Sequence, residues 1–419
     1  MLILLTILIT TVSIIILMNF MTAEKKIQRK LESHYDVADS QFSRSVSALL
    51  GPPFVSGNDV QAFTNGNEIF PQMLNAIKNA KDTITFETFI YWSGTIGEEF
   101  SDALSERALA GIKVHVLLDW LGSVKMETRQ IDKMDEAGVQ IQRYHKPHWS
   151  HLGRFNNRTH RKLLIIDGQT GFTGGVGIAD QWRGDARNPN EWRDSHFKVT
   201  GPVVGQMQAV FMDNWIKAKG QVLHSEHYFP ELKSTGKLQT QMFSSSPSGG
   251  SDSMQLMYLM AITAASKTIE LSSAYFVPDQ LTIEALLHAV KRGVKIRIIT
   301  PGKYTDAELV RKASKACWGK LLKAKIEIAE YLPTMYHCKI FIVDSLLVSV
   351  GSTNFDNRSF RLNDEANLNI LDASFAKQQL KIFNDDWANS RPITYKQWAN
   401  RPMKEKLLEQ LAAVMKSQL

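Results

Sequence analysis

His160-Arg161-Lys162-Leu163-Leu164-Ile165-Ile166-Asp167 is written a second time in the chain, as His337-Cys338-Lys339-Ile340-Phe341-Ile342-Val343-Asp344. Each copy reads H-x-K-x-x-x-x-D, with an apolar run between the lysine and the aspartate. In an extended strand, residues i and i+2 project to the same face, so each copy presents its His and Lys together. The aspartate stands at an odd spacing from the lysine and falls off that face, which points to a different job. Two identically spaced copies in one chain imply a shared site.

Small residues follow each copy: Phe172-Thr173-Gly174-Gly175-Val176-Gly177 in the first and Val350-Gly351-Ser352-Thr353-Asn354 in the second. Close approach of backbone N–H groups to an anion needs small side chains, and a lysine adds a point charge. Two imidazoles, each with its own lysine and loop, therefore make a symmetrical phosphate cradle. Its candidate phosphate-binding residues are Lys162, Lys339, Gly174, Gly175, Ser352 and Asn354. One His can attack phosphorus while the other protonates the departing alkoxide. A nucleophilic imidazole must be neutral and fixed in one tautomer, which calls for a carboxylate on its other nitrogen. Asp194, in Trp192-Arg193-Asp194-Ser195-His196, and Glu365, in Asn363-Asp364-Glu365-Ala366-Asn367, stand at similar positions downstream of the two copies.

The surrounding sequence repeats too. Lys81-Asp82-Thr83-Ile84-Thr85-Phe86 parallels Ser266-Lys267-Thr268-Ile269-Glu270-Leu271, and Ala110-Gly111-Ile112-Lys113-Val114 parallels Arg292-Gly293-Val294-Lys295-Ile296. Phe211-Met212-Asp213-Asn214-Trp215 parallels Phe383-Asn384-Asp385-Asp386-Trp387. The nearly constant offset marks a tandem duplication, not a short-period solenoid. Helix-spaced Ile69, Met73, Leu74 and Ile77 precede a β-rich run from Thr83. Helix–Gly–strand units at 97–118 and 129–144 complete an α/β grammar. A loop-like boundary is expected in 233–253. The expected organisation is thus residues 51–235 and 236–401 as two α/β domains, with a C-terminal amphipathic helix at 402–419. Met403, Leu407, Leu408, Leu411, Val414 and Met415 form its apolar stripe. Mixed charges beside the stripe favour packing on the body over membrane docking.

At 419 residues the chain can bury two substantial cores, and 44% hydrophobic with 22% charged residues is a globular composition. A net charge of +7 suits phosphate esters, nucleic acid or anionic lipid without choosing among them. Cys317 and Cys338 are too few for a disulfide framework or a four-cysteine zinc site, and Cys338 reads as a small buried residue. Residues 1–23 carry no charged side chain. They read as a transmembrane anchor over 1–22, followed by a partly helical juxtamembrane linker at 23–50. No cation precedes the apolar run, and Met21-Thr22-Ala23 is a poor signal-cleavage site. Lys25, Lys26, Arg29 and Lys30 follow the run, placing the catalytic body on the cytoplasmic side of the cell's inner membrane.

The duplicated motif, with Phe86 to Trp92, Gly174-Gly175, Trp192-Arg193-Asp194, Gly201 to Val204, Ser246 to Gly249, Tyr275 to Asp279 and Gly351 to Asn354, resembles the phospholipase D superfamily. It most resembles the bacterial-type cardiolipin synthase branch, over essentially all of 51–401. The resemblance implies two phospholipase D-like α/β/α sandwiches related by a pseudo-twofold. It also implies ping-pong phosphoryl transfer with neither metal nor other cofactor. The catalytic set it names is His160, Lys162, Asp167, His337, Lys339 and Asp344, oriented by Asp194 and Glu365. His160 is read as nucleophile and His337 as acid and base, although near-symmetry leaves the roles interchangeable on sequence grounds. Asp167 and Asp344 are expected to pin strand–loop geometry. Two departures stand out: Gly177 occupies the place of Asn354, and one apolar segment replaces the two often seen in the branch.

Phosphatidyl transfer between two phosphatidylglycerols is the reading this resemblance favours. A phospholipase D hydrolase or a membrane-tethered nuclease shares the same first step. The anchor favours a phospholipid partner, and the lack of a basic stripe with interleaved aromatics argues against nucleic acid. His145, His148 and His151 are read as a lid or headgroup-binding loop rather than a metal site. Arg154 and Arg158 are either surface cations or holders of a second anionic headgroup. Trp182, Trp192 and Trp215 are read as core or interface aromatics. Glu87 and Asp119 lie near strand C-termini, where α/β sites gather, yet the motif does not name them.

Overall fold

The computed structural model describes residues 2–20 (side chains of 3–14), 27, 29–32, 35–146, 156–247 and 253–415. Sixteen strands of these residues join in a single sheet. At its centre Val55–Thr64 of the first half pairs antiparallel with Leu238–Ser245 of the second. Outward from this seam the two halves repeat one order. On one side run Ser195–Thr200, Thr170–Gly174, Leu163–Ile166, Thr83–Thr88, Lys113–Asp119 and Gln140–Tyr144. On the other run Asn363–Leu371, Leu347–Gly351, Lys339–Val343, Thr268–Ser273, Lys295–Pro301 and Glu327–Tyr331, with Ser390–Ile393 at the far edge.

The motif strands are continuous apolar runs because both of their faces are covered. Leu163, Ile165, Ile340 and Ile342 point into one core shared by the two halves. Helices Val203–Lys219 and Ala373–Ala388 lie on that core through Met207, Phe211, Trp215, Phe375 and Phe383. Leu164 and Ile166 face a core belonging to the first half, with Ile69, Met73 and Phe100. Phe341 and Val343 face the corresponding core of the second, with Met257, Ile296 and Trp318. Helices thus cover both faces of the sheet, as the α/β reading expects. The shared core means that separating the halves exposes apolar surface on each.

Three expectations need correcting. The linker is partly helical as expected, but its helix, Ser40–Leu50, is part of the body, with Phe42, Val46 and Leu50 buried in the second-half core beside Met254 and Tyr258. Their four-residue spacing is the helical signal, and Asp39 caps the start by accepting from Gln41 N at 2.8 Å. Residues 21–26, including Lys25 and Lys26, lie outside the described residues. The expected boundary loop is in part the central strand Leu238–Ser245, because Thr240 and Met242 on one face and Gln241 and Phe243 on the other are all buried. The C-terminal helix, Met403–Val414, does lie on the body, but by its other face. Glu409 and Ala412 are buried, while Met403, Leu407, Leu408, Leu411, Val414 and Met415 are exposed.

The N-terminal segment forms a 19-residue helix, Leu2–Phe20. Among the described residues no helix is long and apolar enough to cross a membrane. The described side chains of this one cover only 3–14, fewer than the roughly 20 apolar residues a bilayer core takes.

Candidate active site

Both motif histidines open on one cavity of about 570 Å³ between the halves, with Lys162, Asn354, Trp182, Trp192 and Tyr275 among its walls. Segments just ahead of each motif strand cross to the opposite half. Arg158–Thr159 pairs with Asn363–Asp364, and His160 N donates to Asp364 O at 2.9 Å. In the mirror arrangement Arg193 bridges Tyr336, and His337 N donates to Arg193 O at 2.8 Å. This backbone exchange delivers each imidazole to the carboxylate of the other half.

His160 Nδ1 lies 3.0 and 3.1 Å from the two Glu365 oxygens, and His337 Nδ1 lies 2.7 Å from Asp194 Oδ2. The pairing is crossed. Burial drives the His160 pKa down to about 4, against the opposing pull of Glu365. It lowers that of His337 too, helped by Lys339 and opposed by Asp194. Burial alone would raise both carboxyls, but their histidines, the motif lysines and further hydrogen bonds together leave each below its ordinary value. A neutral imidazole donating Nδ1–H to an ionised carboxylate satisfies both directions, and it leaves Nε2 as the reactive nitrogen.

The carboxylates are held by different means. Ser352 Oγ donates to Glu365 Oε2 at 2.5 Å, and Asn363 Nδ2 to Oε1 at 3.2 Å. In the first half Gly175 stands in place of Ser352; a Cβ there would lie 2.2 Å from Asp194 Oδ1. Asp194 instead accepts from Trp182 Nε1 at 2.9 Å. Gly177 is explained the same way, since a Cβ there would meet Ile90 at 2.7 Å and the Trp182 ring at 3.2 Å. Trp182 fills the space that Asn354 occupies on the other side. It also packs edge-to-face on His337, with ring centroids 5.3 Å apart, and Trp192 lies 5.4 Å from the same ring. Trp182 is thus a core aromatic of the first half with one edge on the cavity, Trp192 packs beside it, and Trp215 is buried in the shared core.

Lys162 and Lys339 are buried, and each donates to the backbone oxygen of its own histidine, at 2.7 and 2.6 Å. Burial lowers both lysines, Lys162 to about 7. Lys339 Nζ also sits against the His337 ring, 3.0 Å from Nδ1 and 3.2 Å from Nε2. Asn354 lines the cavity, and its Oδ1 is buried without a partner among the described residues. Gly175 and Ser352, expected on the phosphate, sit instead on the orienting carboxylates. Gly174 lies against Ser195, where a Cβ would come within 2.6 Å of the backbone oxygen.

Asp167 and Asp344 end their strands in the left-handed region, both at φ 53. Asp167 accepts from the backbone N–H groups of Lys81, Asp82 and Thr83; Asp344 accepts from those of Ser266, Lys267 and Thr268. Neither lines the cavity. They tie the strand end to the turn entering the neighbouring strand, as their off-face spacing implies.

Other groups come from outside the motif. Asp119 accepts from Thr159 N at 3.1 Å and Glu87 from Thr159 Oγ1 at 2.5 Å, so these two buried acids brace the residue before His160. Burial raises Glu87 to about 7. Arg158 and Arg358 both line the cavity, and Arg358 donates to Asn156 Oδ1 at 2.9 Å. Tyr275 Oη donates to Asp306 at 2.6 Å across the same cavity. Tyr275 opens one of the stretches that carry the family resemblance, whereas no sequence pattern marks Arg358 or Asp306, because only tertiary pairing brings them there. Cys338 is buried, and its thiol is pushed up to about 12 by burial, which makes it inert. His145 Nε2 lies 3.1 Å from Asp364 Oδ2, whereas His148, His151 and Arg154 lie outside the described residues.

Comparison with known proteins agrees with this arrangement. A family model described as "Cardiolipin synthase, PLD-like domain" matches residues 73–186 and 258–387. Cardiolipin synthase 1 of Bacillus anthracis is 33% identical over 395 residues, 91% of this chain and 77% of that protein. The major cardiolipin synthase ClsA of Bacillus subtilis is 32% identical over 365 residues, 86% of this chain and 76% of that one. Among solved structures, a phosphatidylserine synthase of Haemophilus influenzae superposes with a TM-score of 0.68. It is 14% identical, and the match covers 90% of this chain and all of that one, a likeness of fold. The two matched stretches take in more than half of the chain, each carrying one copy of the H-x-K-x-x-x-x-D motif, and the protein belongs to the phospholipase D superfamily, in its cardiolipin synthase branch.

Proposed function

We propose that the protein transfers a phosphatidyl group between phospholipids, joining two phosphatidylglycerols into cardiolipin and glycerol through a phosphohistidine. One observation carries the reading: two imidazoles open on one cavity, each tied at Nδ1 to a buried carboxylate of the opposite half. His160 is the nucleophile. Its ring hydrogen bonds among the described residues end at Nδ1, whereas Lys339 Nζ already sits 3.2 Å from His337 Nε2.

His160 Nε2 forms the bond to phosphorus as the P–O bond to the headgroup breaks. His337 gives its Nε2 proton to the departing glycerol alkoxide. The arriving phosphodiester is an anion in a buried site, so it raises the proton affinity of His337 and of both lysines. Lys162, Lys339 and the Asn354 amide stabilise the non-bridging oxygens in the transition state. His337, now neutral, removes the proton from the hydroxyl of the second phosphatidylglycerol, which attacks phosphorus and releases His160. Arg158 and Arg358 receive the phosphate of that second lipid.

Lipid delivery follows from the N-terminal helix. Its 19 charge-free residues make a rod of about 28 Å at 1.5 Å per residue. With the uncharged residues on either side of it in the sequence, the run over 1–23 is long enough for a single membrane pass, with Arg29 and Lys30 on the cytoplasmic side beside the catalytic body.

Purified protein incubated with phosphatidylglycerol vesicles is expected to yield cardiolipin and glycerol. Phosphatidate as the sole product rejects transfer in favour of hydrolysis, and no lipid product rejects the reading altogether. His160→Ala and His337→Ala are each expected to abolish turnover. A reaction of the wild type quenched in neutral denaturant is expected to carry phosphatidyl on His160; label on His337 alone reverses the two roles.

A further inference from the structure

The C-terminal helix Met403–Val414 is mounted the wrong way round for a helix that serves only to stabilise the body. It lies on helix Glu308–Lys323, and Ala412 packs on Val277 and Ala313. Glu409 is buried beside it, paired with Arg401 at 2.6 Å. Met403, Leu407, Leu411 and Val414 face outward at 77, 63, 59 and 79% exposure, flanked by Leu408 and Met415. At about 100° per residue these six cover an arc of roughly 140°, interrupted only by Lys404. The sequence predicts burial of that arc, and among the described residues nothing covers it.

We propose that this arc is a peripheral membrane contact that seats the mouth of the active-site cavity on the lipid surface. The inference rests on the lipid reading of the cavity. Three observations select a membrane as occupant. The first is continuity: Val277, under Ala412, is two residues from Tyr275, which lines the cavity. The first half brings its own apolar contact to the same cavity, through Leu121, a wall residue 44% exposed, and Val124, 57% exposed. The second is charge. Lys404 is the one charged residue on the arc, while Glu409 is buried against the body and Glu405 lies beyond the arc, on the side of the packed face. A lysine in that position reaches out to lipid phosphate while its stem stays in the apolar layer. The third concerns the competing occupant, a second copy of the chain. An isologous contact would press two arcs together, each bearing a lysine and no carboxylate to receive it.

The test uses the full chain in bilayer nanodiscs of phosphatidylcholine and phosphatidylglycerol. A nitroxide is placed at Leu411→Cys in a Cys317→Ala background. The reference site is Leu109→Cys, 75% exposed at the end of helix Thr95–Leu109, which runs away from the cavity. The ratio of accessibility to oxygen over an aqueous nickel chelate is expected to be several-fold higher at 411 than at 109. Equal ratios overturn the proposal. So does a high ratio at 411 that scales with protein concentration and shows spin–spin broadening, the signature of self-association. The readout needs no turnover, so it stands or falls separately from the assignment of phosphatidylglycerol as substrate. As a second measurement, Leu407→Glu with Leu411→Glu is expected to raise the apparent KM for vesicle phosphatidylglycerol about tenfold. Turnover of a monomeric short-chain phosphatidylglycerol is expected to stay at the wild-type rate, and an unchanged vesicle KM contradicts the membrane contact.

Discussion

His160 and Lys162 are two residues apart, and burial moves both toward neutrality, with opposite consequences. The imidazole must be unprotonated to attack, and burial keeps it so down to about pH 4. The ammonium must be charged to hold phosphate, and burial brings its titration to about 7. The pH profile of kcat/KM reports the free enzyme. Its acid limb is therefore expected near 4 rather than at the ordinary histidine value, and its alkaline side to fall as the acid His337 and then Lys162 lose their protons, His337 below the ordinary histidine value and Lys162 near 7. Lys162→Arg, charged throughout, should remove the step near 7 and leave that of His337, even if the rate falls. An alkaline limb unchanged in that variant would assign it elsewhere. The carboxylates act through the histidines, so Asp194→Asn and Glu365→Gln should lower kcat by on the order of 10²–10⁴ with little change in KM. Of these residues, the histidines, lysines and carboxylates are legible in the sequence, because one short spacing repeats. Trp182, Asp306 and Arg358 are not, because nothing local distinguishes them from core or surface residues.

At the scale of elements, the motif strands were readable from their unbroken apolar runs, and Asp167 and Asp344 from their off-face spacing. The helix Ser40–Leu50 was harder to see. Only Phe42, Val46 and Leu50 recur at its helical period, among serines and a neighbouring charge. What they pack on lies more than two hundred residues away in the second half. Phe42→Ala is expected to cost about 3–5 kcal/mol in a denaturant titration, the range of a buried Phe-to-Ala cavity. A cost below about 1 kcal/mol would mean that the helix is a loose linker after all. The C-terminal helix was legible as a helix but not in its orientation, since periodicity gives the apolar face without naming what covers it.

The whole molecule is a duplicated unit joined edge to edge, and the active site depends on that joint. Duplication is plain in the paired motifs, but sequence order places Asp194 nearest His160 and Glu365 nearest His337. The segments around Thr159 and Tyr336 swap strands across the joint, so each carboxylate serves the distant histidine. The two halves also share one apolar core. Residues 1–235 and 236–419 expressed separately are accordingly expected to show no transferase activity, and a half that turned over substrate alone would refute a composite site.

The crossed pairing can be read directly by histidine-selective ¹⁵N NMR of the full-length protein, with the Nδ1–H signals assigned through His160→Gln and His337→Gln. Glu365→Gln is predicted to shift the His160 signal and leave that of His337 in place, and Asp194→Asn to do the reverse. A Glu365→Gln spectrum in which His337 moves and His160 does not would contradict the account.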